Sequence, residues 1–200
     1  MPSVPRPSRR RSAWPSRRWP YNEAVSVRLD SLTPAAVDDH RAGLVALLRD
    51  AVDSGASLGF LPPLDAQEAL AYWESVAAAV REGSRLLLVA LNEAGSVIGS
   101  AQLELATRPN GRHRAEVTKV MVHQAARRRG IGRALMLALE DHAQELGRTT
   151  LVLDTRTGDS SERLYRSVGW QLAGTIPRYA RSVGGGLEAT SIYYRLLTPA

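Results

Sequence analysis

The order of the predicted elements indicates an α/β fold with a mixed, mostly antiparallel central sheet flanked by helices. Three apolar runs follow one another with only short turns between them, which is typical of an antiparallel meander. Later apolar strands alternate with amphipathic helices, which is typical of crossover connections. The composition suits such a fold, since 44% of the 200 residues are hydrophobic and 23% are charged.

Positive charge is concentrated at the start of the chain. Residues 1–20 contain six Arg and no acidic residue, and most of the others are Pro or Ser. Such a segment buries too little apolar surface to offset its ordering entropy, so we predict a disordered basic tail at 1–20 and a single domain over 21–200. The remaining 20 basic residues balance the 20 acidic ones, which argues against nucleic acid as the main partner.

Several classes of protein are excluded or disfavoured. The chain has no Cys, so it has no disulfide scaffold, thiolate metal site or Cys nucleophile. The four His show no metal-binding spacing, and we predict no metal site. The longest apolar run is far too short to span a membrane, and no apolar stretch follows the basic start as a secretory signal requires. We therefore expect a cytoplasmic protein.

The first half of the domain is predicted to contain one strand, two helices and three further strands. Thr33-Pro34 is typical of a helix start, and Asp65 with Glu68 three residues later is typical of a second one. The strands are predicted at Val25–Leu29, Arg85–Leu91, Val97–Leu105 and Ala115–Val122.

The second half is predicted to alternate helices and strands. An amphipathic helix begins near Ile131 and stops at Gly147, and a shorter helix opens at Asp159–Glu162. The predicted strands are Thr150–Asp154, Trp170–Ile176 and Thr190–Leu197.

The most informative segment joins the strand that ends at Val122 to the helix that begins near Ile131. It contains Arg127, Arg128, Arg129, Gly130 and Gly132. The first N–H groups of a helix have no intrahelical partner, and the helix dipole is positive there. The turn is therefore a candidate cradle for a phosphate or pyrophosphate, although it has neither the Walker nor the dinucleotide-binding spacing.

Two motifs together resemble the GNAT superfamily of N-acetyltransferases. Arg127-x-x-Gly130-x-Gly132 after an apolar strand is similar to its Gln/Arg-x-x-Gly-x-Gly/Ala signature, and 164–170 is similar to its Leu-Tyr-x-x-x-Gly-aromatic segment. The element order agrees from about residue 25 to 197, which makes the expected sheet GNAT-type. More narrowly, 154–159, 59–63 and 192–194 resemble the tabtoxin-resistance-type branch.

This resemblance implies acetyl-CoA as the acyl donor, with no metal. Its pyrophosphate would lie on the N–H groups of 128–133, and the strand end would separate from its neighbour at a bulge and pair with the pantetheine. The implied cofactor-binding residues are Met121, Val122, Arg127, Arg128, Arg129, Gly130, Ile131, Gly132 and Arg133. The family often has Asn seven residues before the helix Tyr; here Gly158 stands there, so Asp159 or Ser160 would replace the contact, or it would be absent.

Acetyl transfer to an amine requires loss of the ammonium proton, stabilisation of an oxyanion and protonation of the leaving thiolate. The family uses a Tyr at the position of Tyr165 as the thiolate's proton donor, and the Val122 N–H is the expected oxyanion donor. Asp154, which otherwise forms a turn or a cap, and Glu116, which otherwise lies on a solvated strand face, are the alternative bases. Their joint presence favours a cationic amine.

We therefore expect an acyltransferase that moves an acetyl group from acetyl-CoA to a primary amine of a small molecule, such as an amino acid, a metabolite or an antibiotic-like compound. The alternatives are a protein N-terminal or lysine acetyltransferase, and a non-catalytic acyl-CoA-binding sensor. The sequence leaves open whether the protein is a monomer or a homodimer.

Overall fold

Seven strands form one sheet. A computed structural model describes residues 27–198, so the tail predicted at 1–20 lies outside the described residues, as do 21–26 of the predicted domain. The strands are β1 (Arg28–Ser31), β2 (Arg85–Leu91), β3 (Val97–Leu105), β4 (Arg114–Val122), β5 (Thr150–Arg156), β6 (Gln171–Arg181) and β7 (Leu187–Leu196). Their order across the sheet is β1-β2-β3-β4-β5-β7-β6, and only the β4–β5 pair is parallel. The predicted mixed, mostly antiparallel sheet is confirmed.

Helices cover both faces of the sheet. They are α1 (Pro34–Asp39), α2 (Arg41–Asp53), α3 (Ala66–Glu82), α4 (Ile131–Glu145) and α5 (Ser161–Ser167). Leu87 and Val89 of β2 pack with α1, α2 and α3, whereas Leu86 and Leu88 pack with α4. Because both faces of β2 are covered, its sequence is a continuous apolar run rather than an alternating one. No helix within residues 27–198 is long and apolar enough to cross a membrane.

Several predicted elements differ from the observed ones. The first strand, predicted at Val25–Leu29, lies at Arg28–Ser31. Thr33 caps a helix that starts at Pro34, as predicted, but the chain leaves helical geometry at His40, and α1 and α2 are separate helices. The closing strands are longer than predicted, because β6 and β7 continue as a hairpin to a turn in which the Ser182 N–H donates to the Gly186 carbonyl at 2.8 Å. Most of β6 is exposed, so its far end lacks the apolar alternation that marks a strand.

One buried hydrogen bond connects α4 to the start of β6. The Trp170 Nε1–H donates to Glu140 Oε1 at 2.8 Å, and both side chains are buried. Burial raises the pKa of Glu140, while this hydrogen bond and Arg195 favour its ionised form. The contact gives the Gly-Trp pair after α5 a structural role, because it fixes where α5 and β6 lie relative to α4.

Candidate active site

The parallel strands β4 and β5 separate after a short paired segment. Their register comprises three residue pairs, and the last joins Glu116 to Val152. On the other edge of β4, the register with β3 shifts between Ser100 and Gln102, and Lys119 has a φ of 51°. A residue with positive φ at a register shift is a feature of a β-bulge, which bends the strand. The predicted separation at a bulge is confirmed.

A cleft of about 680 Å³ opens where the strands separate. It is bordered by the ends of α2 and β5, the start of α4 and one side of α5. Its lining includes all of the predicted cofactor-binding residues except Arg129, which instead lines a separate cleft with His40 and His123. The predicted phosphate-binding turn and the predicted proton donor Tyr165 therefore border the same space.

The N-terminus of α4 faces this cleft without a side-chain cap. Gly130 is the N-cap residue, with a φ of 79°, and no side chain accepts a hydrogen bond at this end of the helix. The helix thus presents unpaired N–H groups and the positive end of its dipole, which together favour an anion. Gly132 has a different role, since a Cβ there would lie 3.1 Å from Leu164 Cδ2 of α5 and would require that side chain to shift.

Two of the predicted arginines use their side chains to hold the local structure. Arg127 Nε donates to the Val122 carbonyl at 3.0 Å, and Arg127 Nη2 donates to Ser54 Oγ at 2.6 Å. Arg133 Nη1 donates to the Ser167 carbonyl at 3.0 Å, at the end of α5. Arg128 is exposed and lines the cleft, as does Arg163 of α5. Sequence reasoning did not select Arg163, although it lies in the first turn of the helix that carries Tyr165.

The backbone at the end of β4 offers one donor to the gap. The His123 N–H donates to the Ile98 carbonyl in β3 at 2.9 Å. Because successive N–H groups along a strand point to opposite sides, the Val122 N–H points away from β3 and toward the gap. The Val122 carbonyl on that side already accepts from Arg127, so the N–H is the group that remains for a ligand.

Tyr165 is a buried phenol beside the cleft. Its side chain is 6% exposed, and its ring lies 6.0 Å from the ring of Tyr193 and 6.4 Å from that of Trp170. Burial raises the pKa of Tyr165, and the charges of Asp159 and Asp154 raise it further. The phenol therefore keeps its proton at neutral pH, as a proton donor must.

The two predicted bases lie on one face of the sheet. Glu116 faces Val152 in the β4–β5 register, and Asp154 follows Val152 by two residues, so the three side chains share a face. Both carboxylates reach solvent, although Glu116 is partly surrounded by protein, and neither lines the donor cleft itself. Asp154 Oδ2 accepts from Thr190 Oγ1 at 3.2 Å. Burial raises the pKa of Glu116, and the charges of Glu104 and Asp154 raise it further.

Local side chains hydrogen-bond the segment that begins at Gly158, the residue that stands where the family often has Asn. The Gly158 N–H donates to Glu162 Oε1 at 3.1 Å, and the Ser161 N–H donates to Asp159 Oδ1 at 2.8 Å. Asp159 Oδ2 also accepts from Arg156 at 3.2 Å. Asp159 and Ser160 both line the cleft, but the Asp159 carboxylate already has these two partners.

Sequence reasoning missed a polar group between α3 and β3. Tyr72 Oη and Arg85 Nη1 both donate to Gln102 Oε1, at 3.0 and 2.9 Å, and Arg85 Nη2 lies 2.7 Å from Glu104 Oε1. Ser100, Gln102 and Glu104 are polar residues at alternate positions of an otherwise apolar strand, which is the signal that could have revealed this face. Lys119 Nζ lies 5.8 Å from the centre of the Tyr72 ring.

The chain also matches a known protein family. A model of the acetyltransferase (GNAT) family matches residues 59–170, which include the Arg-Gly turn, both predicted bases and Tyr165. The chain belongs to this family. The predicted enzyme class is thereby confirmed. Within residues 27–198, no group of three or more His, Cys, Asp or Glu side chains is placed to hold a metal ion.

Two curated relatives carry the same functional name. L-methionine sulfoximine/L-methionine sulfone acetyltransferases from Pseudomonas paraeruginosa and Pseudomonas aeruginosa are each 29% identical over 168 residues, covering 83% of this chain and 94% of the relative. They are consistent with the narrower resemblance to the tabtoxin-resistance-type branch.

Solved structures show the same fold. A phosphinothricin acetyltransferase from Sinorhizobium meliloti in complex with acetyl-CoA has a TM-score of 0.71 at 23% identity, over 87% of this chain and 93% of that one. A ribosomal-protein-alanine N-acetyltransferase from Brucella melitensis has a TM-score of 0.69 at 26% identity, over 84% of this chain and 99% of that one. These similarities confirm the predicted GNAT-type fold.

Proposed function

We propose that this protein transfers the acetyl group of acetyl-CoA to the primary amine of a small molecule. The observation that carries the proposal is that a backbone donor, a phenol and two carboxylates lie around one gap in the sheet. The Val122 N–H points into the gap, Tyr165 borders it from α5, and Glu116 and Asp154 lie beside it on one face. These groups match the oxyanion donor, the acid and the base that acetyl transfer needs.

The cleft suits acetyl-CoA along its length. The uncapped start of α4, with the N–H groups of 128–133, would hold the pyrophosphate, and the exposed guanidinium groups of Arg128 and Arg163 would add positive charge. The pantetheine would run along the side of β4 that β5 leaves unpaired, in the manner of an added strand. The acetyl-CoA complex of the Sinorhizobium meliloti relative supports this choice of donor.

Each of these protein groups has a role in one step of the acetyl transfer. Glu116 or Asp154 takes a proton from the acceptor ammonium, and the neutral amine attacks the thioester carbonyl carbon. The Val122 N–H donates to the oxyanion that forms there. When the carbon–sulfur bond breaks, the thiolate takes the phenolic proton of Tyr165. As the intermediate collapses, its nitrogen loses a second proton, which converts the Tyr165 phenolate back to the phenol, and the carboxylate releases its own proton to solvent. The products are the N-acetyl amine and CoA.

The names of the Pseudomonas relatives favour a small acceptor over a protein. Methionine sulfoximine and methionine sulfone, which those names give, are small amino-acid derivatives.

The test is thiol release from acetyl-CoA with a panel of acceptors. The panel contains L-methionine sulfone, L-methionine sulfoximine, phosphinothricin, an aminoglycoside, spermidine and a peptide with an N-terminal Ala, and mass spectrometry identifies the acetylated product. We expect small amines to be acetylated faster than the peptide. Preference for the peptide would favour the protein acetyltransferase, and acetyl-CoA binding with no transfer to any amine would favour a sensor.

A further inference from the structure

The chain contains one lysine. Its 26 Lys and Arg residues comprise 25 Arg and Lys119. A chain that otherwise uses Arg for every basic position thus keeps a lysine in the strand that borders the acetyl-CoA cleft. The two side chains differ in shape, because Lys carries a compact ammonium with three donors and Arg a planar fork. Lys119 is therefore the one side chain of this protein that ends in an ammonium.

The Lys119 ammonium lies over an aromatic ring at the bulge of β4. Lys119 adopts a φ of 51° at the register shift of β4, a backbone conformation that few residues other than Gly adopt. Its Nζ lies 5.8 Å from the centre of the Tyr72 ring, within cation–π range. The Tyr72 ring is itself packed edge-on against Phe60 at 5.4 Å, and its hydroxyl donates to Gln102.

The charges around Lys119 are unequally paired. Glu104 is paired with Arg85 at 2.7 Å and also accepts from Thr118 Oγ1 at 3.2 Å. Within residues 27–198, neither Glu116 nor Asp154 lies within 4.0 Å of a basic group, and no carboxylate lies within 4.0 Å of Lys119 Nζ. All three carboxylates nevertheless act on Lys119 electrostatically. The site thus holds two unpaired negative charges and one unpaired positive charge.

We propose that the Lys119 ammonium binds a carboxylate of the acceptor while Glu116 and Asp154 receive its amine, so that the acceptor is an amino acid. This inference rests on the proposed function and narrows it to amines that carry an acid group. A zwitterion complements the charges that the site leaves unpaired. A diamine would instead place a second cation near Lys119 and Arg85, at an unfavourable electrostatic energy.

Burial supports the need for an anionic partner. Burial and the nearby charge of Arg85 lower the pKa of Lys119, whereas Glu104, Asp154 and Glu116 favour the charged form. A carboxylate within hydrogen-bonding distance would stabilise the ammonium that burial disfavours. The same contact would fix the acceptor at two points, which orients the amine toward the thioester beside Val122.

The experiment compares matched acceptors that differ only in the carboxylate. The pairs are L-methionine sulfone with 3-(methylsulfonyl)propylamine, L-phenylalanine with phenethylamine, and L-histidine with histamine. We expect the wild-type protein to favour the amino acid in the pair that it uses best. Lys119→Met should lower kcat/KM for that amino acid by roughly 10- to 100-fold, chiefly through KM, and leave the matched amine within about threefold. Lys119→Arg should restore part of the preference.

Arg108→Met is the control, because Arg108 is an exposed cation in the loop between β3 and β4 and its loss changes the net charge equally. It should leave the preference unchanged. Equal loss for both members of a pair in Lys119→Met, or a wild-type preference for the amine, would overturn the inference while acetyl transfer stands. If no amine is acetylated, the proposed function fails. The inference is then judged by calorimetry on the CoA-loaded protein, and amino acid binding that Lys119→Met leaves unchanged, or no binding, overturns it.

Discussion

Glu116 of β4 lies directly opposite Glu104 of β3 in the antiparallel register. Like charges at directly opposed positions destabilise a sheet. The ion pair with Arg85 compensates the charge of Glu104 but not that of Glu116. Partial burial raises the pKa of Glu116 above its usual value, and the charges of Glu104 and Asp154 raise it further. The strand pair therefore places a carboxylate with increased proton affinity beside the gap in the sheet.

Glu116→Gln should lower turnover and raise thermal stability at neutral and alkaline pH. The folded-state pKa of Glu116 is raised, so its contribution to stability is present at low pH and is lost as pH rises through that pKa. The wild-type protein thus bears an unfavourable charge above this pKa, and Gln removes it. Loss of a general base should slow transfer by about 10²-fold or more.

Differential scanning fluorimetry and kcat from pH 5 to 9 measure both effects of Glu116→Gln. Glu93→Gln, in the exposed turn between β2 and β3, is the matched control and should change neither quantity. A variant that keeps full activity would assign the base role to Asp154 alone.

Tyr165→Phe should reduce turnover much more than acetyl-CoA affinity. The substitution removes the phenolic proton but keeps the ring that packs against Trp170 and Tyr193. General acid catalysis typically contributes about 10²- to 10⁴-fold, so we expect kcat to fall within that range. Tyr193→Phe is the control, because that buried hydroxyl accepts from Arg166 and Tyr193 does not line the cleft. Stopped-flow kinetics and calorimetric titration with CoA separate the two quantities, and equal losses in both would remove the acid role.

Gly130→Glu should weaken CoA binding more than Gly130→Gln does. Both side chains impose the same backbone strain at a φ of 79°, and a Cβ at this position meets no neighbouring atom. The two variants differ only in the negative charge that Glu places where the pyrophosphate is expected to lie. We expect about a tenfold or larger difference in Kd by calorimetry, which shrinks at high salt. Similar Kd values for the two variants would contradict a phosphate site at the start of α4.

Arg127→Met should disturb the cleft through the backbone of β4. The guanidinium holds both the Val122 carbonyl and Ser54 Oγ, so its loss frees the turn before α4 from the end of α2. We expect weaker CoA binding together with a loss of about 1–2 kcal/mol in the free energy of unfolding, measured by urea denaturation. Ser54→Ala removes one of the two contacts and should show a smaller effect on both. An Arg127→Met protein with wild-type stability and reduced CoA affinity would instead indicate a direct contact with the ligand.

The sequence predicts the elements that have strong local signals. Both ends of β2 and β3 agree with the prediction, and Asp65 caps α3 as predicted, with Oδ1 accepting the Gln67 N–H at 2.7 Å. Local signals do not report where a helix breaks. The interruption at His40 has no Pro or Gly to mark it, and it follows from how α1 and α2 pack separately against the sheet.

The sequence predicted the backbone arrangement of the candidate site but not the directions of its side chains. The uncapped helix start and the separating strand follow from the motif order 120–132 and are present in the structure. The direction of a long side chain depends on its tertiary neighbours, so the sequence could not show that Arg127 turns back to Val122 or that Arg129 lies in another cleft. Lys119 was missed because its importance depends on a bulge, which places it over Tyr72.

The three-pair junction between β4 and β5 also has a mechanical consequence. This pairing joins the meander β1–β4 to the strands β5, β6 and β7. It is the shortest strand pairing in the sheet of residues 27–198. A molecule that hydrogen-bonds along β4 and β5 where they do not pair would connect the two parts of the sheet. Hydrogen exchange at the amides of 117–122 and 153–156 should therefore slow together when acetyl-CoA is added, and the protein should resist proteolysis most when the donor is in place.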